Sequence, residues 1–232
     1  MVSLITFETR EELANQLAID VQRALNDMLN TADRATLAVS GGRSPRMFFD
    51  SLSKKQLPWE RVTISPADER FVPEDNDRSN AKLIRERLIK EEAKLARFES
   101  FYRPDVNLEE LEVVLNSEAL HYLPPAVCIL GMGLDGHTAS LFPEGDRLNF
   151  ALDKKTETNI LTLRAPGALE PRITLTLSAI LKASFLALHI EGHEKLNVLK
   201  KATEMNDSNS SEQMPIGCFF SARPSIPVYW AP

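Results

Sequence analysis

The sequence has few cysteines, no long apolar run and no excess of positive charge, and each absence excludes a class of protein. Its two cysteines, Cys128 and Cys218, stand in apolar segments, which is typical of core residues and argues against a disulfide framework. In 232 residues, no apolar run approaches the ~20 residues that a membrane span needs. The 27 basic residues are scattered and are outnumbered by 33 acidic ones, which argues against nucleic acid and anionic membranes as partners.

A secretory signal and a domain linker are also missing. Residues 1–13 contain no basic region followed by a long apolar stretch. The length lies within the range of one domain, and no linker divides the chain. We therefore expect a cytoplasmic protein in which residues 1–232 form a single α/β domain.

Apolar runs alternate with helical patterns along the whole chain, which is typical of a mainly parallel sheet covered by helices. The predicted strands are Ala35–Ser40, Val62–Pro66, Ala126–Leu130, Asn159–Leu163 and Ser184–Ile190, with shorter extended segments at Phe98–Tyr102 and Arg172–Thr176. The predicted helices are Glu11–Leu29, one that opens at Ser44-Pro45, Ser79–Leu95, Leu108–His121 and Lys195–Thr203. A polar stretch, Asn206–Glu212, is predicted to be a mobile surface loop.

The segment SGGRSP, Ser40–Pro45, joins a predicted strand to a predicted helix through two glycines. Gly41 and Gly42 let the backbone approach a ligand closely, while Ser44 and Pro45 favour the start of a helix. A helix N-terminus reached through such a turn presents N–H groups and a partial positive charge that suit a phosphate. The lysine and spacing of a nucleotide P-loop are absent, and a tight turn without any ligand is the alternative.

A second glycine-rich loop, GMGLDGH at residues 131–137, follows another predicted strand. Gly131, Gly133 and Gly136 satisfy the dinucleotide fingerprint G-x-G-x-x-G. That fingerprint requires a long helix behind its third glycine, and Pro143 leaves room for only one or two turns. The glycines are better explained by a loop whose N–H groups face a developing oxyanion.

His137 is the one histidine of four that lies in such a loop. The loop follows a strand, and the carboxyl ends of the strands are where open α/β sheets bind ligands. An imidazole titrates near neutral pH and can both take and return a proton. Asp135 either orients this imidazole or fixes the loop by bonding its backbone, and both alternatives stay open.

Three further segments carry charge that could hold an anionic sugar. Asp68, Glu69 and Arg70 follow a predicted strand and could hold hydroxyl groups and an anion together, because guanidinium geometry matches phosphate. The alternative is a solvated ion pair that contributes little. Arg172 and Lys195 stand near strand–helix junctions and could complete an anion pocket or be surface charges.

A pair of histidines has the spacing of a metal-binding motif. His189 and His193 are four residues apart, but the preceding run predicts a strand and Gly192 interrupts any helix. Metal-binding pairs at this spacing need a continuous helix. We therefore predict core or solvent-facing histidines and no metal site.

Taken in order, these segments resemble the 6-phosphogluconolactonases, in the branch related to the glucosamine-6-phosphate deaminases. The resemblance spans residues 40–232 and is carried by SGGRSP, ADERFVP, RSN, LGMGLDGHTASLFP, PRITLTL, GHEK and VYWAP. It implies a Rossmann-like three-layer α/β sandwich, similar to glucosamine-6-phosphate deaminases, ribose-5-phosphate isomerases and CoA transferases. It also implies hydrolysis of 6-phospho-D-glucono-1,5-lactone in the pentose phosphate pathway, without a cofactor.

The resemblance implies a role for each candidate residue. His137 matches the acid/base residue of the family, with Asp135 beside it. Asp68 would contact sugar hydroxyls or the reacting centre. The residues expected to bind substrate are Ser40, Gly41, Gly42, Arg43, Asp68, Arg70, Gly131, Gly133, Arg172 and Lys195.

Two alternatives make different predictions about the same loops. An isomerase of the glucosamine-6-phosphate deaminase type needs an extra carboxylate after the DGH loop, where this chain has TASLFP, and has an aromatic residue at the position of Arg70. A non-enzymatic sugar-phosphate sensor would keep the phosphate ligands and lose the catalytic residue, whereas His137 is present. The expected partner is the small lactone, with no nucleic acid or membrane, and the expected state is a monomer or weak homo-oligomer.

Overall fold

The computed structural model describes residues 2–204 and 214–232, which form two β-sheets and the helices around them. The strands are β1 (Ser3–Thr6), β2 (Ala35–Val39), β3 (Val62–Pro66), β4 (Asp68–Arg70), β5 (Arg97–Phe98), β6 (Val127–Leu130), β7 (Ile160–Leu163), β8 (Arg172–Leu175), β9 (Phe185–Glu191) and β10 (Pro227–Ala231). The helices are α1 (Arg10–Leu29), α2 (Pro45–Leu52), α3 (Asn80–Arg87), α4 (Leu108–Ala119), α5 (Leu148–Ala151), α6 (Leu177–Leu181), α7 (His193–Glu204) and α8 (Ile216–Ala222), with 3₁₀ turns at Trp59–Arg61 and Glu91–Leu95. The loop predicted at Asn206–Glu212 lies outside the described residues.

The larger sheet confirms the predicted α/β class. Its seven described strands run in the order β1-β10-β9-β6-β2-β3-β5, and every neighbouring pair is parallel. Strands β2, β3 and β6 are buried along their whole length because helices cover both faces of the sheet. From β2 the chain passes to β3 on one side and later returns to β6 on the other. The topological switch point therefore lies between β2 and β6, the position where such sheets bind ligands.

Two hydrophobic clusters lie on the two faces of this sheet and give the predicted three layers. One cluster packs α1, α2 and α3 against the sheet, and the other packs α4, α6, α7 and α8. Helix α1 begins with a capping box in which Thr9 and Glu12 bond each other's backbone, and it buries Leu13, Leu17 and Val21 along one stripe. None of the helices within the described ranges is long and apolar enough to cross a membrane.

The prediction of one helix over Ser79–Leu95 is wrong. Helix α3 ends at Arg87, and Glu91 then has a φ of 47°, outside the helical region. The N–H groups of Glu92 and Ala93 both donate to the carbonyl of Ser53 instead of continuing the helix. A tertiary contact therefore replaces the local bonds that the sequence pattern favours.

A second sheet, of three antiparallel strands, carries charged residues close to the switch point. It runs in the order β4-β8-β7, and Asp68 of β4 pairs with Thr174 of β8. The sequence predicts β4 only as a polar extension of β3, because three charged residues do not form an apolar run. This small sheet positions part of the site described next.

Candidate active site

A cavity of about 300 Å³ opens at the carboxyl ends of four neighbouring strands, β9, β6, β2 and β3. Of the predicted site residues, those that line it are Ser40, Gly41, Gly42, Arg43, Asp68, Arg70, Gly131, Gly133, His137 and Lys195. Asp135 and Arg172 do not line the cavity. Asp135 contacts His137, and Arg172 contacts the ring of Phe142. The fold thus gathers segments that lie more than 150 positions apart in the chain.

Asp135 orients the His137 imidazole. One oxygen, Oδ1, lies 2.5 Å from His137 Nδ1 and also accepts the His137 backbone N–H at 3.1 Å. An ionised carboxylate only accepts hydrogen bonds, so this contact assigns a proton to Nδ1, and in the neutral imidazole the lone pair is on Nε2. Partial burial raises the pKa of Asp135, but the hydrogen bonds and charge of His137 outweigh it and lower the pKa overall. The two alternatives from the sequence, orienting the ring and fixing the backbone, are both fulfilled by this one oxygen.

The imidazole is also confined by an aromatic ring and by a glycine. Phe142 stacks on His137 with ring centroids 4.1 Å apart. A Cβ atom at position 133 would lie 2.2 Å from the imidazole, so only glycine leaves room for the ring. The side chain of His137 is 29% exposed, which leaves it open to a ligand in the cavity.

The expectation that N–H groups of the 131–137 loop face an oxyanion is wrong for three of them. Gly133 donates to the carbonyl of His137, Gly136 donates to the carbonyl of Gly133, and the N–H of His137 bonds Asp135. These bonds give the loop its shape. A tight turn satisfies its own donors first, so they are not available to a ligand.

Unpaired backbone donors are found instead in the 40–44 loop. Within the described parts of the chain, no group accepts the N–H of Gly41, Gly42 or Arg43. Gly41 is required here because a Cβ atom would lie 1.9 Å from the Asn80 side-chain oxygen. Together with the N-terminus of α2, these donors form a surface that suits an anion.

Lys195 adds a cation beside this loop. Its Nζ lies 3.5 Å from Ser44 Oγ, and burial lowers its pKa, an effect that Glu191 opposes and Arg43 reinforces. Ser44 was predicted to be the N-cap of α2, and it is, but its side chain makes no capping hydrogen bond. Its own dihedrals are helical (φ −58°, ψ −42°), so its hydroxyl does not reach the helix donors and contacts Lys195 instead.

Strand β4 separates the charges of Asp68, Glu69 and Arg70 because successive side chains point to opposite faces. Asp68 and Arg70 line the cavity, and Asp68 Oδ2 accepts from Ser140 Oγ at 2.6 Å. The prediction of a shared sugar site is therefore wrong for Glu69, which does not line it. The alternative prediction, a solvated ion pair, is also wrong, since Asp68 and Glu69 are buried.

Glu69 is instead a structural carboxylate. It is 0% exposed and accepts hydrogen bonds from the backbone N–H groups of Arg70, Asn80 and Ala81 and from the Ser79 hydroxyl. Burial raises its pKa, and these hydrogen bonds act in the opposite direction. Glu69 thereby ties β4 to the first turn of α3.

Arg70 and Arg172 are directly opposite each other in the β4–β8 ladder, on the face that carries Asp68. Arg172 is 5% exposed, its guanidinium lies 5.4 Å from the centre of the Phe142 ring, and its Nε has no partner among the described residues. Burial and the charge of Arg70 lower the pKa of Arg172. Like charges at directly opposed positions are destabilising, which indicates a place for an anion.

Two residues that line the cavity, Asn80 and His189, were not among the predicted site residues. Asn80 directly follows the cap of α3, and His189 was predicted to be a core or solvent-facing histidine. Ser140 and Phe142 lie outside the cavity lining but contact Asp68 and His137, and their TASLFP stretch was used only as part of a resemblance. No residue-type signal in the sequence links these four to the site, because each depends on contacts between distant elements.

The structure separates His189 from His193. Strand β9 ends at Glu191 and α7 begins at His193, which is exposed and packs on Trp230. In the ranges 2–204 and 214–232 no group of three or more His, Cys, Asp or Glu side chains could hold a metal ion.

Known proteins are similar to this chain in sequence and in fold. The family model for glucosamine-6-phosphate isomerases/6-phosphogluconolactonase matches residues 8–229. A 6-phosphogluconolactonase of Rhizobium meliloti is 42% identical over 97% of both chains, and one of Pseudomonas aeruginosa is 40% identical over 100% of this chain and 95% of its own. The crystal structure of a 6-phosphogluconolactonase from Shewanella baltica has a TM-score of 0.93 and 33% identity, covering 100% of this chain and 98% of that one.

Proposed function

Because the chain belongs to the family of glucosamine-6-phosphate isomerases and 6-phosphogluconolactonases, we propose that it hydrolyses 6-phospho-D-glucono-1,5-lactone to 6-phosphogluconate. The relatives at about 40% identity are named 6-phosphogluconolactonase and align with this chain over nearly their full length. The single observation that carries the proposal is the contact between Asp135 and His137 Nδ1, which leaves Nε2 as the other ring nitrogen of a histidine that lines a cavity with cationic walls.

In the proposed reaction, His137 Nε2 takes a proton from a water molecule whose oxygen attacks C1 of the lactone. The resulting tetrahedral centre collapses by breaking the bond between C1 and the ring oxygen. The imidazolium then returns its proton to that oxygen as the ring opens. Acid/base catalysis of this kind contributes about 10²–10⁴-fold in rate.

Different walls of the cavity suit different parts of this substrate. The open N–H groups of the 40–44 loop, Arg70 and Lys195 suit the phosphate, with Arg172 behind Arg70 adding positive charge. Asp68 Oδ2 is held by Ser140, and its Oδ1 accepts no hydrogen bond from a described residue, so it is open to a sugar hydroxyl.

A pH-indicator assay on freshly generated phosphogluconolactone tests the proposal directly. We expect acid release well above the spontaneous rate, and none with glucosamine 6-phosphate as substrate. Ammonia release from glucosamine 6-phosphate would favour the isomerase alternative instead. No turnover of either compound, together with tight binding of 6-phosphogluconate, would favour a sensor.

Asp135→Asn is expected to lower kcat by about 10- to 100-fold. An amide donates to Nδ1 as readily as it accepts, so the ring loses its fixed tautomer. Replacing a buried aspartate in a comparable role lowers kcat by about 10⁴-fold, and we expect a smaller loss here because the Asp135 side chain is half exposed. The lowered pKa of Asp135 means that its charge, and the stability it contributes, is present at neutral pH and is lost as the pH falls through the lowered value. Steady-state kinetics of folded Asp135→Asn measures the change in kcat, and a kcat equal to that of wild type would contradict the role of Asp135.

Arg70→Ala is expected to raise KM by about ten-fold or more, because a charge-assisted contact is worth about 1.5–3 kcal/mol. Arg172→Ala should raise KM by a smaller factor, because Arg172 does not line the cavity and adds positive charge from a distance. We expect kcat to change much less. Inorganic phosphate should inhibit both variants less than it inhibits wild type or Arg164→Ala, a control at an exposed arginine. Equal inhibition of all four proteins would show that the anion is not bound here.

A further inference from the structure

His189 is a buried imidazole that the proposed mechanism does not use. It lies near the carboxyl end of β9, is 3% exposed and lines the same cavity as His137. The rings of His189 and Phe48 pack edge to face, with centroids 6.3 Å apart. The Nε2 atom of His189 is buried and has no hydrogen-bond partner among the described residues. An unsatisfied buried polar atom is costly, and native structures pair nearly all of them, so this nitrogen calls for a partner.

The nearest charged group does not provide that partner. Glu191 Oε1 lies 3.3 Å from Nε2, but outside hydrogen-bond geometry. Glu191 is itself paired with Arg10 at 3.6 Å. The Glu191 carboxylate therefore interacts with Arg10 and does not satisfy the His189 nitrogen.

The cavity wall around His189 is cationic and rich in donors. Lys195 and the open N–H groups of the 40–44 loop line the same cavity. Ser40 also lines it, and its Oγ is a second buried polar atom without a described partner. Two unpaired buried atoms beside a lysine and free amides indicate an anion with several acceptor oxygens rather than a sugar hydroxyl.

We propose that His189 binds the phosphate group of the substrate, donating from Nε2 alongside Ser40 and Lys195. This inference rests on the proposed function and adds a residue to it. His189 is then a specificity residue, because it contacts the phosphate and no reacting atom. It distinguishes a phosphorylated lactone from the same lactone without phosphate.

The test compares His189→Leu with His193→Leu, a matched control at an exposed histidine outside the cavity. We expect His189→Leu to weaken calorimetric binding of inorganic phosphate by about ten-fold or more, the effect of one lost charged hydrogen bond. Its kcat/KM should fall similarly for the phosphorylated lactone and stay unchanged for unphosphorylated glucono-1,5-lactone. His193→Leu should match wild type in all three measurements.

Unchanged phosphate binding by folded His189→Leu would overturn the proposal, as would an equal loss of kcat/KM for both lactones. If His189→Leu is not recovered folded, ¹⁵N NMR of the wild-type imidazoles decides. Phosphate should then shift the His189 Nε2 resonance, and an unmoved resonance overturns the proposal. Calorimetry and NMR do not depend on turnover, so a protein that binds phosphate through His189 but does not hydrolyse the lactone refutes only the proposed function.

Discussion

His137→Ala should reduce kcat by about 10²–10⁴-fold and leave KM within a few-fold of wild type. In the proposed reaction the side chain removes a proton from water in the transition state and makes no contact that the bound lactone needs beforehand. Its ring contacts Asp135 and Phe142, so its removal should leave the 40–44 loop untouched. Steady-state kinetics with the pH-indicator assay measures both constants.

Two comparisons separate lost chemistry from lost structure in this variant. His121→Ala, at an exposed histidine at the end of α4, should keep wild-type kinetics. Added imidazole should restore part of the activity of His137→Ala, because the cavity left by the ring is open to solvent. Near-normal kcat in a folded His137→Ala protein would refute the mechanism.

Glu69→Ala should lower the free energy of unfolding by about 3 kcal/mol or more. Four donors lose their acceptor in a region without solvent, and each unsatisfied buried donor costs about 1–3 kcal/mol. Asn80 and Ala81 form the first turn of α3, and Asn80 contacts the 40–44 loop at Gly41. Loosening that turn should therefore also weaken phosphate binding.

Urea denaturation measures this change, and Glu86→Ala provides the control. Glu86 is an exposed carboxylate of the same helix, so its removal should cost no more than a few tenths of a kcal/mol. A Glu69→Ala protein as stable as Glu86→Ala would show that water satisfies the four donors. The stability of Glu69→Gln should lie between those of Glu69→Ala and Glu86→Ala. Its amide oxygen still accepts hydrogen bonds, whereas its amide nitrogen faces other donors.

The parts of the fold that follow local rules were predictable from sequence. The strands that became β2, β3, β6 and β9 are apolar runs of four to seven residues, because helices cover both faces of the sheet. Helix α1 was predicted to within one residue, since its cap and its apolar stripe agree. The 131–137 loop was located correctly because a strand, glycines and a proline constrain the chain in one short segment.

The failures occur where a distant contact overrides a local preference. Ser44 has the residue type of a cap but turns to Lys195, which lies 151 positions away. Asp68–Arg70 is too polar to resemble a strand, yet it pairs with β8 and directs Glu69 into α3. His189 has the spacing of a metal ligand, and only the sheet order shows that it reaches the cavity.

The opposed pair of Arg70 and Arg172 implies a trade-off between stability and function. Two guanidinium groups stand on one rung of a three-stranded sheet, where like charges are destabilising. Glu170 lies 3.4 Å from Arg172 and offsets part of this repulsion. We expect an anion bound beside Arg70 to offset more of it, so that binding would also stabilise the small sheet. Residues chosen only for stability would not be two arginines at this rung.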